Sequence, residues 1–199
     1  MSDIMRPVPF AELVNRIVGE LRLHQSIFGI PQARFYTDGS NHTITVFGRT
    51  ARTAVGPAAG PHTQLAQNII TGYLVGSRFV ELKTCQQKDD FASTGAVQKP
   101  CIDATDEGYN VEWSTEYTLS QAWDEYAKAY IVCCLLDAVS SKGKWEKPSF
   151  VFNMSVGYTL DGIKTKKMQT YIDAMLDGRK DVRWNEHIED LKVMLSEDL

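Results

Sequence analysis

The chain has 199 residues, of which 43% are hydrophobic and 23% charged, and its formal net charge is −4. This length and composition are typical of one globular domain with a sizeable core. The mild negative charge argues against general nucleic-acid binding, which requires clustered Lys and Arg. The longest apolar stretch, 127–139, is too short and too interrupted to span a bilayer. The N-terminus lacks the apolar core of a signal peptide, so we expect a cytoplasmic location.

The cysteines do not form a recognisable metal or redox motif. They are Cys85, Cys101, Cys133 and Cys134, and no two have CxxC or zinc-finger spacing. Cys133 and Cys134 lie next to each other in a strongly helical stretch, where we expect them to pack as small apolar side chains. An iron–sulfur cluster needs several closely spaced thiolates, so we do not expect this segment alone to hold one.

In chain order, the first predicted element is a helix that follows Pro9. Its apolar stripe consists of Phe10, Leu13, Val14, Ile17, Val18 and Leu21. Residues 29–41 contain Pro, Gly and Asn and predict a loop. The β-branched segment 43–47 predicts a strand, and Gly48 and Arg49 turn the chain into a second strand at 53–55, forming a short hairpin.

The remaining elements alternate between helices and strands. A run of small residues, VGPAAGPHTQ at 55–64, precedes a helix that ends near Gly76, and a strand at 78–83 follows. After a long loop, Thr118 and Gln121 predict a capping box for a long helix, then SFVFNM at 149–154 predicts a buried strand and two helices follow. This alternation favours parallel strands with crossover helices. A closed barrel needs about 250 residues, so we expect an α/β fold, a partial (β/α)8 TIM barrel of about three βα units.

Catalytic groups of such barrels lie at the carboxyl ends of the strands, and three places qualify. Small residues at 56–61 would let a flat ligand lie close to the backbone, although a plain tight turn has the same composition. Lys83 and Thr84 end the next strand, where a lysine is either a site cation or a surface residue. Asn110 in the long loop can pair with the amide edge of a heterocycle or make a local turn.

Other candidates are weaker. His62 lacks an evident partner to orient it, and the acidic cluster of Asp103, Asp106 and Glu107 is typical of a solvated loop. Asn153 and Ser155 end the third strand and can reach the barrel mouth. Tyr109 and Trp113 could stack on a planar ligand or pack in the core. The sequence contains no Walker A motif, no serine-hydrolase triad and no HExxH motif.

Three linked segments carry a family resemblance. They are TAVGPAAGPHTQLAQNIITGYLVGSRFVELKT, KPCIDATDEGYNVEWSTEYTLSQAWDEY and FVFNMSVGYTLDGIKTKK. Together they resemble the N-terminal barrel of the large bacterial YgfK family, whose members carry a selenate reductase label, over residues 4 to about 168. The small-residue run and the strand ending in Lys-Thr are more distantly similar to dihydroorotate dehydrogenase and to the pyrimidine-reducing half of dihydropyrimidine dehydrogenase.

The resemblance implies an FMN-dependent oxidoreductase acting on a planar, nitrogen-heterocyclic substrate. Residues 1–42 would form an N-terminal helix and loop, and 43–199 the first part of the FMN barrel. Ala58, Ala59 and Gly60 match the backbone cradle of the flavin, Lys83 and Thr84 match the flavin-contacting pair, and Asn110 falls near the substrate asparagine. The catalytic loop and the FMN phosphate site belong to later strands, so the resemblance assigns no catalytic residue here.

Full-length relatives of this kind also resemble electron-transfer proteins with FAD, iron–sulfur clusters and an NAD(P)H module. We therefore expect the rest of the barrel and these electron-transfer modules to be partners of this segment, and we expect no turnover by the 199 residues alone. An incomplete barrel would expose apolar sheet edges, which favours self-association.

Two alternatives from other classes stay open. One is a flavin-free barrel that serves as an assembly or electron-transfer scaffold. The other is a non-redox barrel enzyme, such as an aldolase, in which Lys83 would form a Schiff base with a carbonyl substrate. Nothing in the residues indicates an oxyanion reductase site.

Overall fold

A computed structural model of the chain describes residues 7–37, 42–85, 117–142, 144–156 and 159–196. The predicted substrate residue Asn110, together with Cys101, Tyr109, Trp113 and the acidic cluster at 103–107, lies outside the described residues. The helices are α1 (Phe10–His24), α2 (Ala66–Leu74), α3 (Leu119–Ser140), α4 (Leu160–Ile163), α5 (Lys166–Leu176) and α6 (Val182–Ser196). The strands are β1 (Ser26–Ile27), β2 (Ile30–Pro31), β3 (Ile44–Val46), β4 (Arg49–Ala51), β5 (Phe79–Cys85) and β6 (Val151–Val156).

The N-terminal helix α1 forms where the sequence predicts it. Pro9 occupies the N-cap position, and the first four residues of the predicted stripe are buried, namely Phe10, Leu13, Val14 and Ile17. The chain leaves α1 through Gln25, which has a positive φ of 50°. A short antiparallel pair then forms, with β1 just before the segment predicted as a loop and β2 at the start of that segment. Two-residue strands are too short to produce a hydrophobic period, so the prediction missed them.

The predicted hairpin is present, but its second strand was placed too late. β3 and β4 pair as Ile44 with Ala51 and Val46 with Arg49. Phe47 and Gly48 between them both have positive φ, 50° and 72°. This combination makes a tight two-residue turn, so pairing resumes at once at Arg49 rather than at 53–55.

Residues 55–57 instead run beside β5. The carbonyl of Val55 accepts hydrogen bonds from the N–H groups of Arg78 (2.9 Å) and Phe79 (3.3 Å), and the carbonyl of Pro57 accepts from Glu81 N–H (3.2 Å). A Cβ atom added to Gly56 would lie 1.4 Å from the Phe79 carbonyl oxygen. The glycine therefore allows the small-residue run to approach the strand closely.

β5 and β6 form a parallel pair, with Phe79 opposite Val151 and Leu82 opposite Met154. The connection between them contains α3, as expected for a parallel crossover. Two βα units are therefore present, β5 followed by α3 and β6 followed by α5, and the segment 55–57, which is not a strand, precedes α2 in the same order. The fold is therefore the α/β arrangement of a partial barrel that the sequence predicts.

Helix α3 is the central helix of the described structure. Its predicted capping box is present: the Gln121 N–H donates to Thr118 Oγ1 (3.2 Å), and the Thr118 N–H donates to Gln121 Oε1 (3.0 Å). One hydrophobic core contains residues from α1, α2, β5, α3 and α5. Cys133 is fully buried in it, as predicted, and burial raises the pKa of its thiol.

The carboxyl end of α3 is joined to its neighbours through Asp137, which is fully buried. Its carboxylate accepts four hydrogen bonds, from Tyr73 Oη (2.7 Å), Ser149 N–H (2.8 Å), Ser149 Oγ (2.5 Å) and Trp145 Nε1 (3.1 Å). Burial acts to raise the pKa of Asp137, but these hydrogen bonds outweigh it and hold the pKa below the ordinary aspartate value. Asp137 lies at the amino-terminal end of β6, the end of a barrel that supports stability rather than chemistry.

A second buried charge cluster fixes the first half of α3. Glu125 is fully buried and accepts a hydrogen bond from the Ala66 N–H at the start of α2 (2.8 Å). It also pairs with Lys128, which contacts Asp124 (3.1 Å) and donates to the Val8 carbonyl (2.7 Å). Buried charges are tolerated when they are paired in this way. The cluster attaches α2 and the segment before α1 to α3.

Candidate functional site

The carboxyl end of β5 contains a β-bulge at the two residues that the sequence singles out. Leu82 pairs with Met154 and Cys85 pairs with Val156, so Lys83 and Thr84 together lie opposite Ser155 alone. A bulge of this type re-aims side chains and is common next to active sites. Lys83 is 5% exposed, and Thr84 is half-buried.

Behind the bulge, on the side covered by helices, two tyrosines and a cysteine are in contact. Tyr126 Oη of α3 donates to the Lys83 carbonyl oxygen (2.9 Å), and Tyr171 Oη of α5 donates to Cys85 Sγ (3.1 Å). All three side chains are buried. Burial raises the pKa of both phenols well above the ordinary value, so both remain protonated hydrogen-bond donors at neutral pH.

On the opposite face of the sheet, polar side chains of the two strands meet. The Glu81 carboxylate accepts hydrogen bonds from Asn153 Nδ2 (2.6 Å) and Ser155 Oγ (3.1 Å). Neighbouring strand residues point to opposite faces, so this set lies away from Leu82 and the core. In a barrel this is the inner face, and its carboxyl end is where ligands bind.

The small-residue run approaches the same end of β5. Ala58 and Ala59 are exposed, whereas Gly60 is buried. The Gly60 N–H donates to Thr63 Oγ1 (3.2 Å), and its carbonyl accepts from the Thr63 N–H (2.9 Å). Of the three predicted cradle residues, Gly60 therefore uses its N–H within the loop, while Ala58 and Ala59 face solvent.

Two further polar side chains follow this run. Partial burial lowers the pKa of the His62 imidazole, and a hydrogen bond to the Ala58 backbone opposes this shift. Gln64 is fully buried, and neither Oε1 nor Nε2 of its amide has a hydrogen-bond partner within the described part of the chain.

Some of the residues predicted from the sequence therefore lie close together in the structure. The parallel register brings Lys83, Thr84, Asn153 and Ser155 to one end of the sheet, and the small-residue run continues toward it. Sequence reasoning included Glu81 in the segment that ends this strand but gave it no role, although a charged residue within an apolar strand is a detectable signal. It also missed the role of the Tyr126 hydroxyl, because Tyr126 fits the buried face of α3 equally well as an apolar ring.

A cavity of about 410 Å³ lies between β6 and helices α3, α5 and α6, and Asn153 of the candidate site is among its lining residues. Aromatic rings line much of it, including Tyr130, Phe152 and Trp184, and neither Lys83 nor Thr84 reaches it. The described residues contain no group of three or more His, Cys, Asp or Glu side chains able to hold a metal ion. Within the same ranges, none of the helices combines the length and apolar character needed to cross a membrane.

The comparisons with known proteins agree with this architecture. The family described as "Oxidoreductase YgfK, N-terminal TIM-barrel domain" matches residues 28–198. The proteins named "Putative oxidoreductase YgfK" from Escherichia coli K12 and from E. coli O157:H7 are each 52% identical over 201 residues. The alignment covers all of this chain but only 19% of each relative. No solved structure matches the chain. The chain therefore belongs to the family of N-terminal TIM-barrel domains of the oxidoreductase YgfK.

Proposed function

We propose that this domain provides the first part of an FMN site in an oxidoreductase, at the carboxyl ends of β5 and β6. The bulge that places Lys83 and Thr84 at this end of the sheet carries the proposal. Bulges are concentrated at the rims of barrels and beside active sites, and a nearly enclosed lysine is an uncommon and costly residue to keep without a purpose.

The described residues fit a flat cofactor. Ala58 and Ala59 expose only methyl groups and backbone, so a ring can approach closely without steric conflict. Lys83 provides a positive charge in a largely water-excluded setting, where charge interactions are stronger than in water. FMN, when bound, would supply the capacity to take up and pass on electrons, and the protein's part is orientation and electrostatics.

Each residue has a defined task in this proposal. Ala58 and Ala59 support the ring, Lys83 raises its reduction potential, and Thr84 contributes a hydroxyl at its edge. Asn110 would orient a planar heterocyclic substrate, a role that falls outside the described residues. Electron-transfer modules elsewhere in the polypeptide would supply or remove electrons. FMN binding would also need groups from the later strands of the barrel, including those for the phosphate.

FMN titration of a Lys83→Met variant tests this proposal. The titration uses the natural-length polypeptide, which is the polypeptide that contains this chain and any sequence that adjoins it. Methionine keeps the length of the side chain but removes its charge, so we expect FMN affinity to fall about tenfold, the value of a charge-assisted hydrogen bond. The reduction potential of the remaining bound FMN should also fall.

Lys166→Met is the matched control, because Lys166 is exposed at the start of α5 and belongs to neither strand of the candidate site. It should leave both FMN affinity and potential unchanged. Equal effects of the two substitutions would refute a specific role for Lys83.

A flavin-free scaffold is the second candidate. The observation that favours it is the closed hydrogen bonding of Gly60, whose N–H is already used by Thr63. Under this alternative the natural-length polypeptide would bind no FMN at any concentration tested, and Lys83→Met would change only its stability.

A further inference from the structure

The bulge in β5 is held by a side chain from a different element. At a bulge the extra residue leaves the strand ladder, so its backbone groups need partners elsewhere. The Lys83 carbonyl oxygen accepts a hydrogen bond from the hydroxyl of Tyr126 (2.9 Å), and this hydrogen bond is buried. The Cys85 thiol lies at 3.5 Å from the same oxygen and is the weaker contact.

Helix α3 gives Tyr126 a fixed position. Its N-terminus is capped by Thr118, and Glu125, the residue before Tyr126, is anchored to the start of α2 at Ala66. The Tyr126 side chain is 1% exposed, and its hydroxyl donates to Lys83 O and lies 3.8 Å from Cys85 Sγ. The conformation of the bulge is therefore coupled to the position of α3.

We propose that Tyr126 is a positioning residue of the candidate site, whose hydroxyl fixes the bulge so that Lys83 and Thr84 are directed to the ligand. The effect on FMN rests on the proposed function, whereas the effect on the bulge itself does not. Tyr126 acts only through the backbone of Lys83 and has no contact with the ligand.

Tyr171 supplies the matched control. Its phenol belongs to the same buried cluster and donates to Cys85 Sγ at 3.1 Å, but it makes no hydrogen bond to the bulge carbonyl. Tyr126→Phe and Tyr171→Phe each remove one buried hydroxyl and keep the ring. A difference between the two variants therefore reports on the bond to Lys83 and not on packing.

Amide hydrogen exchange in the natural-length polypeptide tests the bulge directly. In Tyr126→Phe we expect the backbone amides of residues 83–85 to exchange about five- to tenfold faster than in the wild type, the equivalent of one lost hydrogen bond. In Tyr171→Phe the same amides should exchange within about twofold of the wild-type rate. Equal exchange in the two variants, or unchanged exchange in Tyr126→Phe, would overturn the proposal.

FMN binding gives the second readout, in a double-mutant cycle. Tyr126→Phe should weaken FMN binding about five- to tenfold when Lys83 is present and should have no further effect in the Lys83→Met background. An equal loss in both backgrounds would show that Tyr126 acts on the fold as a whole and would overturn its positioning role. If the wild type binds no FMN, the proposed function fails, and the exchange experiment still decides whether Tyr126 fixes the bulge.

Discussion

Gly56 shows how a single residue permits the fold around the site. Its backbone lies so close to β5 that a Cβ atom would be 1.4 Å from the Phe79 carbonyl oxygen. Because that neighbour is backbone in a paired strand, it cannot move aside without breaking the hydrogen bonds to Val55 and Pro57. We expect Gly56→Ala to lower the free energy of unfolding by about 3 kcal/mol or more.

The control is Gly19→Ala in the middle of α1, where an added Cβ would meet no atom within 4 Å. Alanine is the better helix former, so this variant should gain up to about 1 kcal/mol. Urea denaturation measures both. A Gly56→Ala variant as stable as the wild type would contradict the close approach of the two segments.

Asp137 is a second residue on which we expect stability to depend strongly. Asn has the same shape but carries an NH₂ group in place of one carboxylate oxygen, so Asp137→Asn leaves two of the four buried donors without an acceptor. These are either Tyr73 Oη and Ser149 Oγ at one oxygen or Ser149 N–H and Trp145 Nε1 at the other. We expect a loss of about 3 kcal/mol at pH 7. Asp173→Asn, at a side chain that is 60% exposed, should cost under about 0.5 kcal/mol.

The pH dependence gives an independent check on Asp137. Its folded pKa is lowered relative to the unfolded chain, so its contribution is complete above the unfolded value of about 4. The contribution is lost as the pH falls through the lower folded pKa. The difference in stability between wild type and Asp137→Asn should therefore shrink below about pH 4. A difference that stays constant down to pH 2 would contradict the assignment.

At the scale of elements, the capping box is a local signal with a measurable effect. Thr118→Ala removes the acceptor of the Gln121 N–H and should destabilise the protein by about 1 kcal/mol. Thr118→Ser keeps the hydroxyl and should retain most of the stability. Chemical denaturation of the two variants distinguishes the cap from side-chain packing, since equal losses would mean that the threonine methyl group matters more than the hydrogen bond.

The elements that the sequence predicts well are those encoded locally. The stripe of α1, the capping box of α3 and the apolar strand β6 each depend on residues within a few positions of one another. The second strand of the hairpin was predicted at the wrong position because the turn uses Phe47 at positive φ, a conformation that few sequence patterns indicate. The helix α4 is a single turn and was missed for the same reason as β1 and β2, since one turn shows no periodicity.

At the scale of the whole molecule, the site depends on contacts that no local pattern encodes. Tyr126 meets the bulge carbonyl across 43 positions, and Asn153 meets Glu81 across 72. Lys83 and Thr84 were predicted because they end a strand and resemble a known motif, but the bulge itself depends on the pairing of β5 with β6. The long-range register therefore decides which side chains share the site.

The sheet is open in the described part of the chain, where β6 pairs with β5 alone. The unpaired edge of β6 lies beside the cavity lined by aromatic rings. Further strands of a barrel would pair with an edge of this kind. The chain spans 19% of the length of the curated relatives that it matches.

The visible absorption spectrum of the natural-length polypeptide, mixed with FMN and then desalted, shows directly whether this domain takes part in flavin binding. We expect flavin bands that remain with the protein in the wild type and in the Lys166→Met control, and that weaken in Lys83→Met. A colourless wild-type polypeptide would contradict the claim that the carboxyl ends of β5 and β6 form part of a flavin site.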